Sequence, residues 1–203
     1  MLERLLLPQK HAIAILLKDH DKVKALFDRF EKVTAAADKE KIIGEALTEL
    51  KIHAAIEEEI FYPTVRQHVG KDLMNEADEE HHVARVLIAE LDNDRRDDDH
   101  RYAKFTVLAE NVRHHIKEEE NEVLPKAKDL KLDFAALGNR MLQRKSELKE
   151  NGIPQDAEHA MVAAAGAGAD TPARAAHQRR PVSRRTRVRR TPVQRTRAKR
   201  NSR

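Results

Sequence analysis

The sequence has no cysteine and no tryptophan, and its 203 residues include only six glycines and 3% aromatics. Without cysteine there can be no disulfide, iron–sulfur cluster, thiolate zinc site or thiol nucleophile. Few glycines and aromatics, set against abundant Lys, Glu, Ala and Leu, argue against an all-β sandwich or barrel and for helices. No uninterrupted apolar run approaches the roughly 18 residues needed to cross a bilayer. The apolar stretch MLERLLLPQKHAIAILLKDH is interrupted by charges and Pro8 and lacks the layout of a secretory signal. The expectation is a cytoplasmic protein without a membrane partner. A glycine-rich phosphate loop, a His-Glu-x-x-His zincin motif and a Ser/His/Asp set are also missing.

What is present is charge, 36% of the residues, unevenly placed. Residues 171–203 carry thirteen Lys and Arg and no acid, which leaves 26 basic and 35 acidic residues in 1–170. An acidic body and a basic tail are two objects. The body, 1–152, reads as a folded bundle. Residues 153–203 read as a low-complexity linker, AMVAAAGAGADTPARAAHQ, followed by an Arg-rich tail with too little apolar surface to fold. Disorder is expected from about residue 155.

Apolar residues recur at helical spacing in five segments. The first, about 9–37, carries Ile13, Leu16, Val23, Phe27 and Phe30, and the second, about 39–69 with Asp38 as its cap, carries Ile43, Leu47, Leu50 and Ile60. Gly70 precedes a third at about 71–94, and a polar run separates that from a fourth at about 100–128. A short fifth, about 133–150, ends at Asn151-Gly152. The predicted fold is all-α: an up-down-up-down four-helix bundle with a short fifth helix and a disordered basic C-terminal tail.

Ionisable residues interrupt the stripes. His20 lies between Leu16 and Val23, His53 and Glu57 follow Leu50, His81 lies between Ala77 and Ala84, and His115 and Glu119 follow Val112. The pattern repeats: His20 and His81 are 61 residues apart, and His53-x-x-x-Glu57 and His115-x-x-x-Glu119 are 62 apart, each followed six residues later by a proline, Pro63 or Pro125. An i, i+4 pair shares one helix face. Buried charge requires a partner, so four His and two Glu aimed at one axis should satisfy one another or a cation. Imidazole with carboxylate suits iron, manganese or zinc, and the inventory suffices for two ions. If Glu57 and Glu119 bridge, an oxo or hydroxo bridge would complete five ligands and leave one open position on each ion. The remaining histidines do not fit the pattern. His11 faces away from His20, His82 and His114 lie one position off their stripes, and His68, His100, His159 and His177 read as solvated. Glu58, Glu59, Glu118 and Glu120 read as a charged outer face, with Glu58 an alternative ligand.

The segments LLKDHDKVKALF, ELKIHAAIEEEIFYP, EADEEHHVARVLIAEL and VRHHIKEEENEVLP resemble the four helix signatures of the hemerythrin-like (HHE cation-binding) domain family, over about residues 9–145. The resemblance implies a four-helix bundle around a non-haem di-iron centre of two oxo- or hydroxo-bridged iron ions. By position, His20, His53, His81 and His115 are then the imidazole ligands and Glu57 and Glu119 the bridging carboxylates. Oxygen-carrying members place a further histidine one turn after the third-helix histidine, where this chain has Arg85. They also use an aspartate five residues after the last histidine, where this chain uses Glu119 at i+4. It is similar to the six-ligand bacterial branch, which disfavours reversible oxygen carriage. The iron–sulfur repair members carry an N-terminal domain with cysteines, and this sequence has no cysteine, so repair by that route is not the expectation.

Three functions are compatible with such a centre: binding or sensing of a small diatomic ligand or peroxide, turnover of peroxide or NO with Tyr62 as a nearby redox residue, and iron handling. The first is the expectation. The basic segment 171–203 adds a non-specific nucleic-acid partner, since it can neutralise phosphates but has no aromatic to stack on bases.

Overall fold

A computed structural model of the chain describes residues 7–93 and 99–169, with side chains described to residue 164 except at Asp99. The expected basic tail, and His177 with it, lies outside the described residues. Helix α1 (Ala12–Lys32) is followed by α2 (Ala36–Ile56), a π-helical turn (Glu57–Phe61) and α3 (Tyr62–Val69). Next come α4 (Lys71–Asn93), α5 (Asp99–Glu118), a second π turn (Glu119–Val123) and α6 (Leu124–Lys128). Helices α7 (Phe134–Asn151) and α8 (Ala157–Ala169) complete the order. Helix α1 packs on α2, α2 on α4, α4 on α5 and α5 on α1, closing the four-helix ring expected from the periodicity. None of the described helices is long and apolar enough to cross a membrane.

Several boundaries differ from the expectation. The first helix stops at Lys32, and Val33 and Ala35 are extended, so α2 begins at Ala36. Asp38 is therefore not the cap. It lies in the first turn of α2, where a carboxylate complements the helix dipole. The two π turns interrupt what the sequence presents as continuous helices. Each begins at a glutamate of the repeated motif, and its closing amide, Tyr62 N–H or Leu124 N–H, donates five residues back to Glu57 or Glu119. The repeated prolines supply a cause. Pro63 and Pro125 have no N–H, and their rings crowd the carbonyl four residues back, so a widened turn relieves the conflict at both places.

Gly70 has φ of 122°, a conformation that lets the chain reverse between α3 and α4. Helix α7 is capped by Asp133, which accepts from the amides of Ala135 and Ala136 at 3.1 and 2.9 Å. It crosses the start of α1 so closely that a Cβ on Gly138 would fall 2.0 Å from the Lys10 carbonyl oxygen. Helix α8 corrects the linker expectation for 157–169. Asp156 Oδ1 accepts from His159 N–H at 2.9 Å, an N-cap, and the alanine-rich run that follows has the highest intrinsic helix propensity. Low complexity masked a helix.

The buried apolar residues form two clusters. One gathers Leu16, Ile56, Phe61, Met74, Val123 and Met141; the other gathers Val23, Phe27, Leu50, Ile88, Phe105 and Val112. Helices α1, α2 and α4 contribute to both, α5 contributes to the second and its continuation through the second π turn and α6 to the first, and the change from one to the other falls at His20, His53, His81 and His115–Glu119. Burying side chains of this size stabilises by about 1.5–3 kcal/mol each. The ionisable residues thus form a polar layer between two dry ones.

Candidate metal centre

All six stripe-breaking residues are buried, and Glu57 is 0% and Glu119 1% exposed. They converge in two groups: His20, His53, Glu57 and Glu119, and Glu57, His81 and His115. In the first, His20 Nε2 is 3.2 Å from His53 Nε2 and 3.1 Å from Glu119 Oε2, and His53 Nε2 is 3.2 Å from Glu57 Oε2. In the second, His81 Nε2 is 3.1 Å from His115 Nε2 and 3.4 Å from Glu57 Oε2. Glu57 belongs to both groups. The six expected residues are brought together.

The outward nitrogens explain why the inward ones face each other. His81 Nδ1 donates to Glu58 at 2.8 Å, His115 Nδ1 to Glu80 at 2.7 Å and His20 Nδ1 to Glu120 at 3.1 Å. His53 Nδ1 is turned toward Asp19, 3.6 Å away, and Asp19 in turn accepts from Lys145 on α7. A carboxylate on Nδ1 fixes the tautomer that leaves Nε2 as a lone pair. Three imidazoles are held in this way and His53 faces Asp19 without a hydrogen bond; in the neutral tautomer, four lone pairs point at one another and at two carboxylates. As long as the imidazoles are neutral with their Nδ1 protons turned outward, none of them donates to the four oxygens of Glu57 and Glu119.

That arrangement calls for positive charge. Without a cation, protons must take its place. Burial opposes charge on His20, but Glu119 and Glu120 outweigh it and raise its pKa to about 9. Burial and the neighbouring His20 lower His53 to about 4. Burial, with repulsion from Glu119, pushes Glu57 well up, whereas His20 overcomes burial to hold Glu119 low. Protons favoured on His20 and Glu57 leave the other inward acceptors without positive charge, which a metal ion would supply. Two nitrogens bound at about 2.1 Å to one ion and at right angles to each other are about 3.0 Å apart. The Nε2 pairs stand at 3.2 and 3.1 Å. The donor set, nitrogen and oxygen without sulfur, suits iron, manganese or zinc.

Tyr62 is buried, and its hydroxyl lies 3.3 Å from His81 Nε2 and 3.4 Å from His115 Nε2, so it adjoins the second group as well as packing. Burial first, then Glu119 and Glu57, raise its pKa well above the usual phenol value, so it stays a protonated donor. Glu58, exposed as expected, and half-buried Glu120 also stand behind site histidines. Asp19 and Glu80, which face His53 and His115, are residues around the centre that the stripe argument missed. A signal existed: Asp19 and Glu80 immediately precede His20 and His81, at the same 61-residue offset. His82 and His114 are exposed, as expected off the stripe. His159, expected to be solvated, is buried, bonded by Nε2 to Asp92 at 2.8 Å and by Nδ1 to Asp156 at 2.7 Å. Helix α8 places it there.

The Hemerythrin HHE cation binding domain matches residues 11–127, more than half of the chain. No curated protein matches significantly. Among solved structures, a hemerythrin HHE cation-binding domain-containing protein from Mycobacterium kansasii is similar in fold, with a TM-score of 0.58 at 21% identity, over 75% of this chain and 98% of that one. The matched family domain, residues 11–127, includes all six residues of the His/Glu cluster. This chain belongs to the hemerythrin HHE cation-binding domain family.

Proposed function

We propose that the chain is a non-haem di-iron protein that binds or senses small oxidants: O₂, NO or peroxide. The observation that supports it most is the convergence of four imidazole lone pairs on two carboxylates to which those imidazoles, when neutral, do not donate, in a layer closed on both sides by apolar residues. His20 and His53 with Glu119, and His81 and His115, with Glu57 common to both, are the proposed ligands. Seven ligand positions from two groups leave two six-coordinate ions incomplete, so small molecules have somewhere to bind. Iron in such a site supplies a redox-active position for an oxidant. The chain's own groups do the rest. The Nδ1 carboxylates hold the imidazoles in the ligating tautomer, the apolar layers exclude bulk water, and the Tyr62 hydroxyl offers a proton at the His81–His115 end.

Anaerobic loading with Fe(II), followed by absorption spectra on adding O₂, NO or peroxide, tests the reading. A stable coloured adduct supports binding or sensing. Decay with repeated turnover of peroxide or NO would move the function to an enzyme, and release of the iron would move it to iron handling. A protein that retains no iron would end the proposal.

A further inference from the structure

Beside the histidines lies a cavity of about 240 Å³ that no small oxidant requires. His53, His81 and His115 form part of its wall, and Ala54, Ala84, Ile88, Val112, Leu148 and Ile153 supply apolar surface around the rest. Protein interiors hold few voids larger than a water molecule, so apolar space of this size next to a metal centre calls for an occupant. An apolar cavity of about 150 Å³ takes up benzene, which makes this one suited to a molecule of roughly ten carbons.

Charge selects further. The charged residues at the cavity are already paired: Lys51 with Asp92, Arg85 with Glu58 and Glu158, and Glu80 with His115. Glu59 pairs with Arg144, and Asp156 with His159. What remains among the side chains for polar recognition is the amides of Asn111, whose Oδ1 has no hydrogen-bond partner, and Gln155, with the His53 imidazole, whose Nδ1 has none either. An ionic ligand would lose its hydration here without gaining a counter-charge.

The wall also has an origin. Leu148 and Ile153 to Asp156 lie beyond the matched family domain, which ends at residue 127. Leu148 belongs to α7, and the 153–156 stretch is tied down by α8, where Glu158 accepts from Arg85 Nε at 3.1 Å and His159 bridges Asp92 and Asp156. The C-terminal extension of this chain therefore walls one side of a pocket on the flank of the bundle.

We infer that this pocket is a binding site for an uncharged, mainly apolar organic molecule of about bicyclic-ring size, held against the His53, His81 and His115 side of the centre. The inference rests on the metal reading only for what the ligand is held against, since the cavity is formed by the chain alone.

The test uses the full-length, iron-loaded protein and 1-naphthol, which is uncharged at neutral pH and fluorescent, with the anion 1-naphthoate as comparison. Saturable binding of one 1-naphthol per chain is expected, with 1-naphthoate about tenfold or more weaker. Ala84→Phe fills the cavity from α4, and Ile153→Trp fills it from the connection between α7 and α8, where no helix packing is at stake. Each should weaken 1-naphthol about tenfold or more with iron content and helical circular dichroism unchanged. Absence of saturable binding, equal binding of the anion, or undiminished binding in a folded filling variant would overturn the inference. If the chain retains no iron, the metal reading fails by itself, and 1-naphthol binding to the unloaded protein still decides the cavity.

Discussion

Glu80 on α4 accepts from His115 Nδ1 on α5 at 2.7 Å, while the very next residue, His81, turns its own Nε2 to within 3.1 Å of His115 Nε2. One helix thus supplies both a site histidine and the carboxylate that orients the histidine facing it. The same relationship repeats on α1, where Asp19 faces His53 and His20 follows. Glu80→Ala should therefore lower metal affinity about 10- to 100-fold while leaving the fold intact. His115→Ala should remove at least one iron of the two expected. Chelator competition with metal analysis checks both, and unchanged affinity in Glu80→Ala would show that the carboxylate does not support the ligand.

Metal removal should destabilise the bundle. Emptying the site leaves Glu57 and Glu119 facing each other in a dry layer, with Glu57 driven toward its protonated form by burial and by Glu119. A ligand bound only to the folded state adds about 2.7 kcal/mol when free at 100 times its Kd. For a chain of this size that corresponds to a melting shift of several degrees, at about 2–4 °C per kcal/mol. Thermal melts of iron-loaded and metal-free protein measure it. Equal melting temperatures would contradict a site in the core.

Helix α8 should respond to pH through His159. Burial disfavours its charge, but Asp92 and Asp156 prevail and raise its pKa above 6.5, with Lys51 opposing from α2. A raised folded-state pKa means stabilisation that is complete below pH 6.5 and is lost as pH climbs through the folded value. Amide protection in residues 157–164, corrected for intrinsic exchange, should fall across that interval, and His159→Gln should abolish the dependence. Protection that rises with pH would reverse the assigned sign.

The basic segment 171–203 is proposed to bind nucleic acid without sequence preference. If six of its thirteen cations neutralise phosphates, affinity should drop about a thousandfold between 50 and 200 mM salt. Gel shifts on the full chain and on a chain ending at Asp170 make the comparison, that end point being chosen to retain α8. Binding by the shortened chain, or none by the full chain at low salt, would refute it.

The six site positions were legible in the sequence because helical periodicity converts spacing into a shared face, and because the pattern occurs twice at one offset. His20 and His81 announce themselves by standing where an apolar residue belongs, and Glu57 and Glu119 by lying one turn beyond a histidine already on the stripe. Spacing says nothing, however, about which groups meet across helices. Only packing paired His20 with Glu119 and Glu120 from the second half of the chain, and His81 with Glu57 and Glu58 from the first. Only packing set Glu58 and Glu120, which read as outer-face charges, behind imidazoles as well. The π turns follow from prolines visible at Pro63 and Pro125, yet the widening of a turn depends on where the displaced carbonyl can go. Helix α8 had an Asp cap and an alanine run to declare it, but a run of small residues has no stripe, so its docking rests on contacts made by Glu158 and His159. The cavity belongs wholly to tertiary structure: Ala54, Ala84 and Ile153 are far apart in the chain, and space between side chains has no signature in the order of residues.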